Sequence, residues 1–491
     1  MGTNLVWLHV IVQDRIARRI AVRRTRRLLL VLVALSAVVA PSALAAERMW
    51  IGFHDDPSFR WVSDRDSRIE ASASQGASVM RLLVHWDQTA KTGPATASDP
   101  FDPAYSFDDL DDAIRVAQQQ DMEVLLSLVG TPRWANGGKA PNVMPRRLSD
   151  FTAFAKAIAS RYSGRFDGFP FVRFWSIWNE PNLQLFLKPQ FDAQGRSVAP
   201  RNYARLYEAG YQGVKAGNPR ALVAIGETSA RGTDNPSGGR AVHSPGRFLE
   251  ELAKANPRLR FDAWAHHPYP FRPNLKPSQK VQWPNVTLGS LPELETHLTQ
   301  LFRRKSIPIW VTEYGHETRP QDAFGVSYST QGTYLRQAIA IARSYPYVTM
   351  FIWFVYQDDQ GQPWDSGLYT RAGASKGSSP SRFAAAARPL DPRNTELSLR
   401  RGTSSPTVAL FTRRFCVVDS PGTRIGATWR ARIGGKLVDV GQVAAPLQAN
   451  CTLTVRMNGL RLSRKASYDV TFDLNDINGE TLTRLVTIRV R

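Results

Sequence analysis

The sequence predicts an α/β fold: a (β/α)8 TIM barrel over residues 46–390, followed by a small all-β sandwich domain over 391–491. Three observations carry this. Between residue 49 and about residue 388, eight short apolar runs alternate with amphipathic segments. No glycine-rich phosphate loop follows an early run, as the rival doubly wound sheet would be expected to carry. After about residue 390 the helical period stops and β-type alternation begins. At 491 residues the chain is long enough for two domains.

The apolar runs are 49-MWIGFH-54, 79-VMRLLVHW-86, 122-MEVLLSLV-129, 171-FVRFWSIW-178, 221-ALVAIGE-227, 261-FDAWAHH-267, 308-PIWVTEY-314 and 348-VTMFIWFVY-356. They are apolar on both faces, as strands of a parallel sheet covered on both sides must be. Between them lie helical stretches such as 107-FDDLDDAIRVAQQQ-120, 202-NYARLYEAGYQGVKAG-217 and 330-TQGTYLRQAIAIARS-344. Ser149 and Asp150 are expected helix caps, and Gly217 and Asn256 expected stops.

Pro389, Pro392 and 402-GTSSP-406 read as a linker. Beyond it the segments 407–418, 427–443, 452–462 and 468–490 alternate like strands, with Gly434-Gly435 and Asn458-Gly459 as hairpin turn signals. Cys416 and Cys451, the two cysteines, read as a disulfide between two strands of this domain if the chain is exported; the alternative is two buried thiols. No Cys/His set has zinc spacing and HExxH is absent, so neither metal nor cofactor is expected.

Export is the reading of the N-terminus. Seven arginines precede the apolar run 28-LLLVLVALSAVVA-40, and Ala43 and Ala45 form a small-residue cleavage site, so residues 1–45 read as a signal peptide, or an uncleaved anchor. The net charge is +21, of which residues 1–45 hold seven Arg against one Asp, and 396–491 hold fifteen Lys/Arg against seven Asp/Glu. Part of the excess belongs to the leader, and the rest is spread, mostly as single arginines without a long Lys/Arg run, which argues against nucleic acid. A solvated basic surface is the plain reading; attraction to an acidic polysaccharide or anionic envelope is the sharper one.

In a barrel of this kind the active site lies at the C-terminal ends of the strands. The fourth run ends in Asn179-Glu180-Pro181, and the seventh in Glu313 within 310-WVTEYGH-316. Pro181 cannot donate to a ladder, so it stops the strand with Glu180 at the barrel mouth. Two carboxylates at one mouth are what retaining glycoside hydrolysis needs, one protonated and one ionised, about 5–5.5 Å apart.

The pair 178-WNEP-181 and 312-TEYG-315, on the fourth and seventh runs, resembles glycoside hydrolase clan A, most closely families five and thirty-nine. The resemblance covers about residues 49–388 and implies Glu180 as acid/base and Glu313 as nucleophile. It implies that Arg81 steadies the nucleophile, Asn179 binds a sugar hydroxyl, and His267 and Tyr269 stand beside the nucleophile, with Tyr269 donating to Glu313. It also implies Trp353 as the floor of the central sugar site. His266 or His267 could instead be a core histidine. His85 and Trp86 are expected along the sugar site, and Trp134, Trp178 and Trp364 at lips where aromatic faces stack on sugars. His54, Asp55 and Asp56 are expected near distal sugars, and Asp358 and Asp365 at substrate hydroxyls, with a calcium site as a lesser alternative. The last hairpin, from Tyr468 through Asn478-Gly479, resembles that of bacterial immunoglobulin-like domains.

The expected function is thus a secreted or envelope-associated monomer acting as a retaining β-glycosidase on an oligo- or polysaccharide, the sandwich serving as a spacer or a wall contact. The alternatives are a non-catalytic polysaccharide-binding or envelope-assembly protein and an extracellular transglycosidase.

Overall fold

The computed structural model describes residues 48–491 apart from 167, 238–241, 362–363, 394 and 418; the expected signal at 1–45 lies outside the described residues. Among the described residues no helix is long and apolar enough to cross a membrane.

Eight parallel strands close into a barrel in chain order: β1 (Trp50–His54), β2 (Val79–His85), β3 (Glu123–Val129), β4 (Phe174–Ile177), β5 (Leu222–Ser229), β6 (Ala263–His267), β7 (Ile309–Tyr314) and β8 (Val348–Phe354). A longer helix follows each: α1 (Arg65–Ser74), α2 (Asp108–Gln119), α3 (Leu148–Arg161), α4 (Ala199–Gly217), α5 (Pro245–Ala255), α6 (Leu291–Leu301), α7 (Tyr328–Ser344) and α8 (Ser379–Ala387). Local chemistry sets these helices. Asp108, Asp109 and Asp111 stand in the first turn of α2, against the positive end of its dipole. Prolines begin α4, α5, α6 and α8, where a missing N–H costs nothing. The Ser244 and Ser327 side chains cap α5 and α7. Ser149 and Asp150, expected as caps, lie inside the first turn of α3, whereas Asn256 does end α5.

The barrel interior is layered. Trp50, Val79, Leu125, Phe174, Trp310 and Met350 belong to an apolar plug in its lower half. Above it lie Arg81, Ser127, Ser176, Glu227 and Thr312, buried and polar. Alternation along a strand decides which residues join which layer. On β5 the alternation breaks: the register shifts between Gly226 and Thr228, and Glu227 adopts a left-handed φ of 48°. This bulge turns Glu227 into the barrel. Gly226 has φ 108°, and a Cβ there would lie 2.7 Å from the Ala265 carbonyl oxygen, so only glycine fits.

The C-terminal residues form two β-sheets. One joins β10 (Thr407–Phe411) to β13 (Thr452–Arg456). The other runs β12 (Lys436–Pro446), β11 (Arg424–Ile433), β14 (Ser467–Asn475), β15 (Thr481–Val490) and β9 (Thr395–Leu399). A shared core that includes Trp429, Phe472, Leu453 and Ile488 lies between them. The expected linker is only partly a linker, because residues 395–399 pair with β15 as β9. Gly434 and Gly435, both at positive φ, form the two-residue turn between β11 and β12. Asn458-Gly459 is a turn after β13 that joins no hairpin. Cys416 and Cys451 are bonded, but they join a 3-10 turn to the turn before β13 rather than two strands.

This domain is seated on the barrel's lower face. Phe411 packs edge-on against Trp50, ring centroids 5.8 Å apart. Arg413, buried, donates to Glu123 at the start of β3 over 2.6 and 3.0 Å. Arg484 pairs with Asp121 nearby. Arg413→Ala leaves Glu123 buried without a partner and is expected to destabilise the chain by about 3–5 kcal/mol, measured by denaturant unfolding; an unchanged midpoint would show that the interface contributes little.

Candidate active site

The polar layer opens upward into a cleft of about 720 Å³, in the range of small-molecule and oligosaccharide sites. Its floor is built around Arg81, fully buried on β2. The Arg81 guanidinium donates to Glu313 Oε1 at 2.6 Å, Asn179 Oδ1 at 2.9 Å, Ser127 Oγ at 2.9 Å and Glu227 Oε2 at 3.3 Å, and meets His54 Nδ1 at 2.9 Å. The partners come from five different strands or their ends. Such a cation is tolerated in a barrel core because carboxylates surround it.

Glu180 is delivered by strained backbone. β4 stops at Ile177; Trp178 has φ 75° and Glu180 φ 37°, conformations that L residues seldom adopt. The Glu180 N–H donates to the Glu227 carbonyl at 2.9 Å, and the Asn182 side chain accepts from Ser229 N–H at 2.9 Å. The lips of β4 and β5 are thereby locked together.

Four ionisable side chains form one network. His267 donates from Nε2 to Glu227 at 2.8 Å and from Nδ1 to Glu180 at 3.0 Å, and Nδ1 lies 3.5 Å from Glu313 Oε2. Burial opposes its charge, but Glu313, Glu180 and Glu227 outweigh burial and push its pKa up to about 9. Burial would raise Glu227, yet Arg81 and His267 hold it down at about 2. Burial would likewise raise Glu313; His267, His54 and Arg81 hold it well below the usual carboxylate range. For Glu180 burial wins, with the negative Glu313 adding to it, and its pKa is raised despite His267. The two mouth carboxylates are thus driven in opposite directions, as an acid and an anion at one site require. One oxygen of each lies within 4.8 Å of the other. Glu180, His267 and Glu313 are also close enough to hold a metal by distance alone, while both His267 ring nitrogens already meet carboxylates, Glu227 and Glu180.

The expected residues divide. Glu180, Glu313, Asn179, His85, Tyr269 and Trp364 line the cleft, and Arg81 and His267 lie directly beneath it. The Tyr269 hydroxyl donates to Glu313 Oε2 at 3.0 Å, and Trp364 stacks on the Tyr269 ring at 5.3 Å. Trp86 is a correction: it is buried between Trp134, Phe151 and Phe154, in the helix layer. Trp134, packed on Trp86 with its Nε1–H on the Ala90 carbonyl, does not border the cleft either. Trp178 is buried and donates to the Phe186 carbonyl. Trp353 is wrong by one residue. It faces out of the barrel and donates to the Ser366 carbonyl at 2.8 Å, while Phe354, next along β8, lines the cleft. Inward positions on β8 are Met350, Ile352 and Phe354, and the period of two excludes Trp353.

His266 is the core histidine, hydrogen-bonded to Thr228 and Val286, and burial pushes its pKa down to about 3. His54 touches Arg81 and lies 3.2 Å from Glu313, so it belongs to the charge network around Glu313 rather than to distal sugars. Asp55 and Asp56 do border the cleft, but their oxygens are committed to backbone amides and to Arg60. Asp358 and Asp365 point elsewhere: Asp358 pairs with buried Lys376 at 2.5 Å, and Asp365 with Arg371 at 3.0 Å. The Lys376 ammonium also donates to the Asp365 carbonyl at 2.9 Å. Glu227 and Phe354 were missed. Glu227 carried a signal, since it ends an apolar run as Glu180 and Glu313 do.

The profile of the family Cellulase (glycosyl hydrolase family 5) matches residues 45–358. No curated protein matches the chain by sequence. Among solved structures, a family 39 glycoside hydrolase from the gut symbiont Bacteroides cellulosilyticus is similar, with 17% identity and a TM-score of 0.51, over 84% of this chain and 80% of that one. A GH5_18 protein from Streptomyces cattleya, solved with GlcNAc, is similar with 15% identity and a TM-score of 0.50, over 73% of this chain and 85% of that one. At these identities the likeness concerns the fold.

The charge network can be tested without a substrate. Glu227→Gln removes one of the anions that raise His267. The imidazole, followed by nitrogen-detected NMR, is expected to titrate near 9 in the parent and distinctly lower in the variant. Equal titration in both would contradict the role given to Glu227.

Proposed function

The chain belongs to glycosyl hydrolase family 5 and is a glycosidase, and we propose that it cleaves a β-glycosidic bond of an oligo- or polysaccharide with retention of anomeric configuration. The observation that carries this reading is the pair Glu180 and Glu313, at the mouths of β4 and β7 in one cleft, with oxygens within 4.8 Å and pKa values pushed apart. The separation is near the spacing of double displacement and below the roughly 6.5–9.5 Å that leaves room for an inverting water.

In the first step Glu180 gives its proton to the leaving glycosidic oxygen while the Glu313 carboxylate attacks the anomeric carbon. The C–O bond to the leaving sugar breaks and a glycosyl ester forms on Glu313. In the second step the Glu180 carboxylate takes a proton from water, whose oxygen attacks the same carbon and releases Glu313. Arg81 and Tyr269 hold the Glu313 oxygens in position. Asn179 spends its carbonyl on Arg81, which turns its amide N–H groups toward the cleft for a sugar hydroxyl. Phe354 and Trp364 supply aromatic faces for sugar rings.

On this reading Glu313→Ala abolishes product release from β-linked glycans. Glu180→Ala lowers it by about 10²–10⁴-fold, and azide restores turnover of an aryl glycoside as a β-glycosyl azide. The alkaline limb of the pH profile belongs to Glu180, because activity is lost as pH rises through its raised pKa. The limb is expected to vanish in azide-rescued Glu180→Ala. Anomeric NMR showing inverted product would overturn the proposal.

Residues 1–45 motivate a second part of the proposal: export, with removal of the leader after Ala45 or Ala46. Mass spectrometry of the mature protein from its own cell type is expected to find that terminus. An intact Met1 would contradict it.

A further inference from the structure

The charges lining the cleft do not balance. Four of the five carboxyl side chains that line it, Asp55, Asp56, Glu180 and Glu313, are already answered. Glu313 is held by Arg81, Glu180 by His267, and Asp56 by Arg60 at 2.9 Å. Asp55 accepts backbone N–H groups from Ser58, Tyr356 and Gln357, each at 3.0 Å. Among the described residues Glu317 forms no ion pair. Its burial, with Asp322 and Asp365 nearby, outweighs Lys376 and pushes its pKa up to about 8, which favours its neutral form.

The cations of the opposite account are Arg231 and Arg272. Both line the cleft and both are exposed to it. Among the described residues neither forms an ion pair. Their guanidinium groups are instead placed by aromatic rings and backbone. Arg231 lies over Phe271 at 5.6 Å and donates to the Phe271 carbonyl at 3.2 Å, and Arg272 lies over Phe324 at 5.7 Å. Stacking on rings positions an arginine while leaving its fork of N–H donors free for an oxyanion. The two stand on neighbouring loops, after β5 and after β6, so they line one wall. A neutral glycan gives such a wall no charge to meet.

Resting on the glycosidase reading above, we propose that the cleft takes an anionic glycan, and that Arg231 and Arg272 receive the acid group of a sugar flanking the bond that is cleaved. Carboxylate of a uronate and sulfate ester share the required chemistry, an oxyanion that accepts two parallel N–H bonds from one guanidinium. The basic surface that remains without residues 1–45, which hold seven Arg and one Asp of the chain's +21, would raise the local concentration of such a polymer.

The test uses the full chain carrying Glu313→Gln, so that bound oligosaccharide is not turned over. Short β-linked oligosaccharides of glucuronate, of sulfated glucose and of plain glucose are titrated by calorimetry at low and at moderate salt. At least one acidic series is expected to bind about tenfold or more tightly than the neutral one, with a preference that shrinks as salt rises. Which series it is distinguishes carboxylate from sulfate. Adding Arg231→Gln and Arg272→Gln together is expected to remove the preference while leaving the unfolding midpoint unchanged. Equal or weaker binding of both acidic series, including no binding, overturns the inference, as does a preference that survives in the double variant. Hydrolysis of a neutral glycan that depends on Glu180 and Glu313 in the otherwise unaltered chain would leave the glycosidase reading standing while this inference fails.

Discussion

A buried guanidinium organises the molecule. Arg81 sits inside a closed barrel, out of contact with water, where an uncompensated charge would cost several kcal/mol. Its position is possible only because carboxylates arrive from elsewhere, Glu313 from β7 and Glu227 from β5. Those acids need cations in return, and His267 supplies the second. The result is an alternating set of charges in which each member justifies the next. Glu180 stands at its edge, held through His267 and kept by burial closer to its protonated form. The difference between the two mouth carboxylates is therefore a property of the whole network.

The rest of the fold keeps this arrangement rigid and dry. The apolar plug below Arg81 excludes water from beneath, and the C-terminal sheets close the lower end through Phe411 and the Arg413–Glu123 pair. Strain is placed where the chemistry is. Trp178, Glu180 and Glu227 are all left-handed at the barrel mouth, and the chain holds them by hydrogen bonds between neighbouring lips.

Much of this was legible in the sequence, and the reasons for the remainder are specific. The eight runs announced the barrel because a parallel strand is apolar on both faces. Glu180 and Glu313 were legible because a carboxylate ending such a run has few structural uses. Glu227 has the same signature, but its inward direction depends on a bulge, which apolar periodicity does not reveal. Trp353 and Phe354 are adjacent aromatics on a strand with period two, so only the register decides which one faces the cleft. Trp86 and Trp134 fall at strand ends, where an open lip would make them sugar platforms; short helical turns there fold both rings into the helix layer. Asp358 and Asp365 are claimed by Lys376 and Arg371, partners on the following loop that no local pattern ties to them. Arg231 and Arg272 lie in long loops whose course the sequence does not dictate.

The central claim is that Glu313, made a persistent anion by its neighbours, forms the covalent bond to sugar. A 2-deoxy-2-fluoro glycoside with an activated leaving group slows both steps, and the second more than the first, so a glycosyl-enzyme accumulates. With the cognate sugar, intact-mass and peptide analysis should find one fluoroglycosyl group per chain, attached to Glu313 and absent in Glu313→Gln. An adduct on Glu180, or turnover of the natural substrate by the enzyme with no adduct on any residue, would contradict the account.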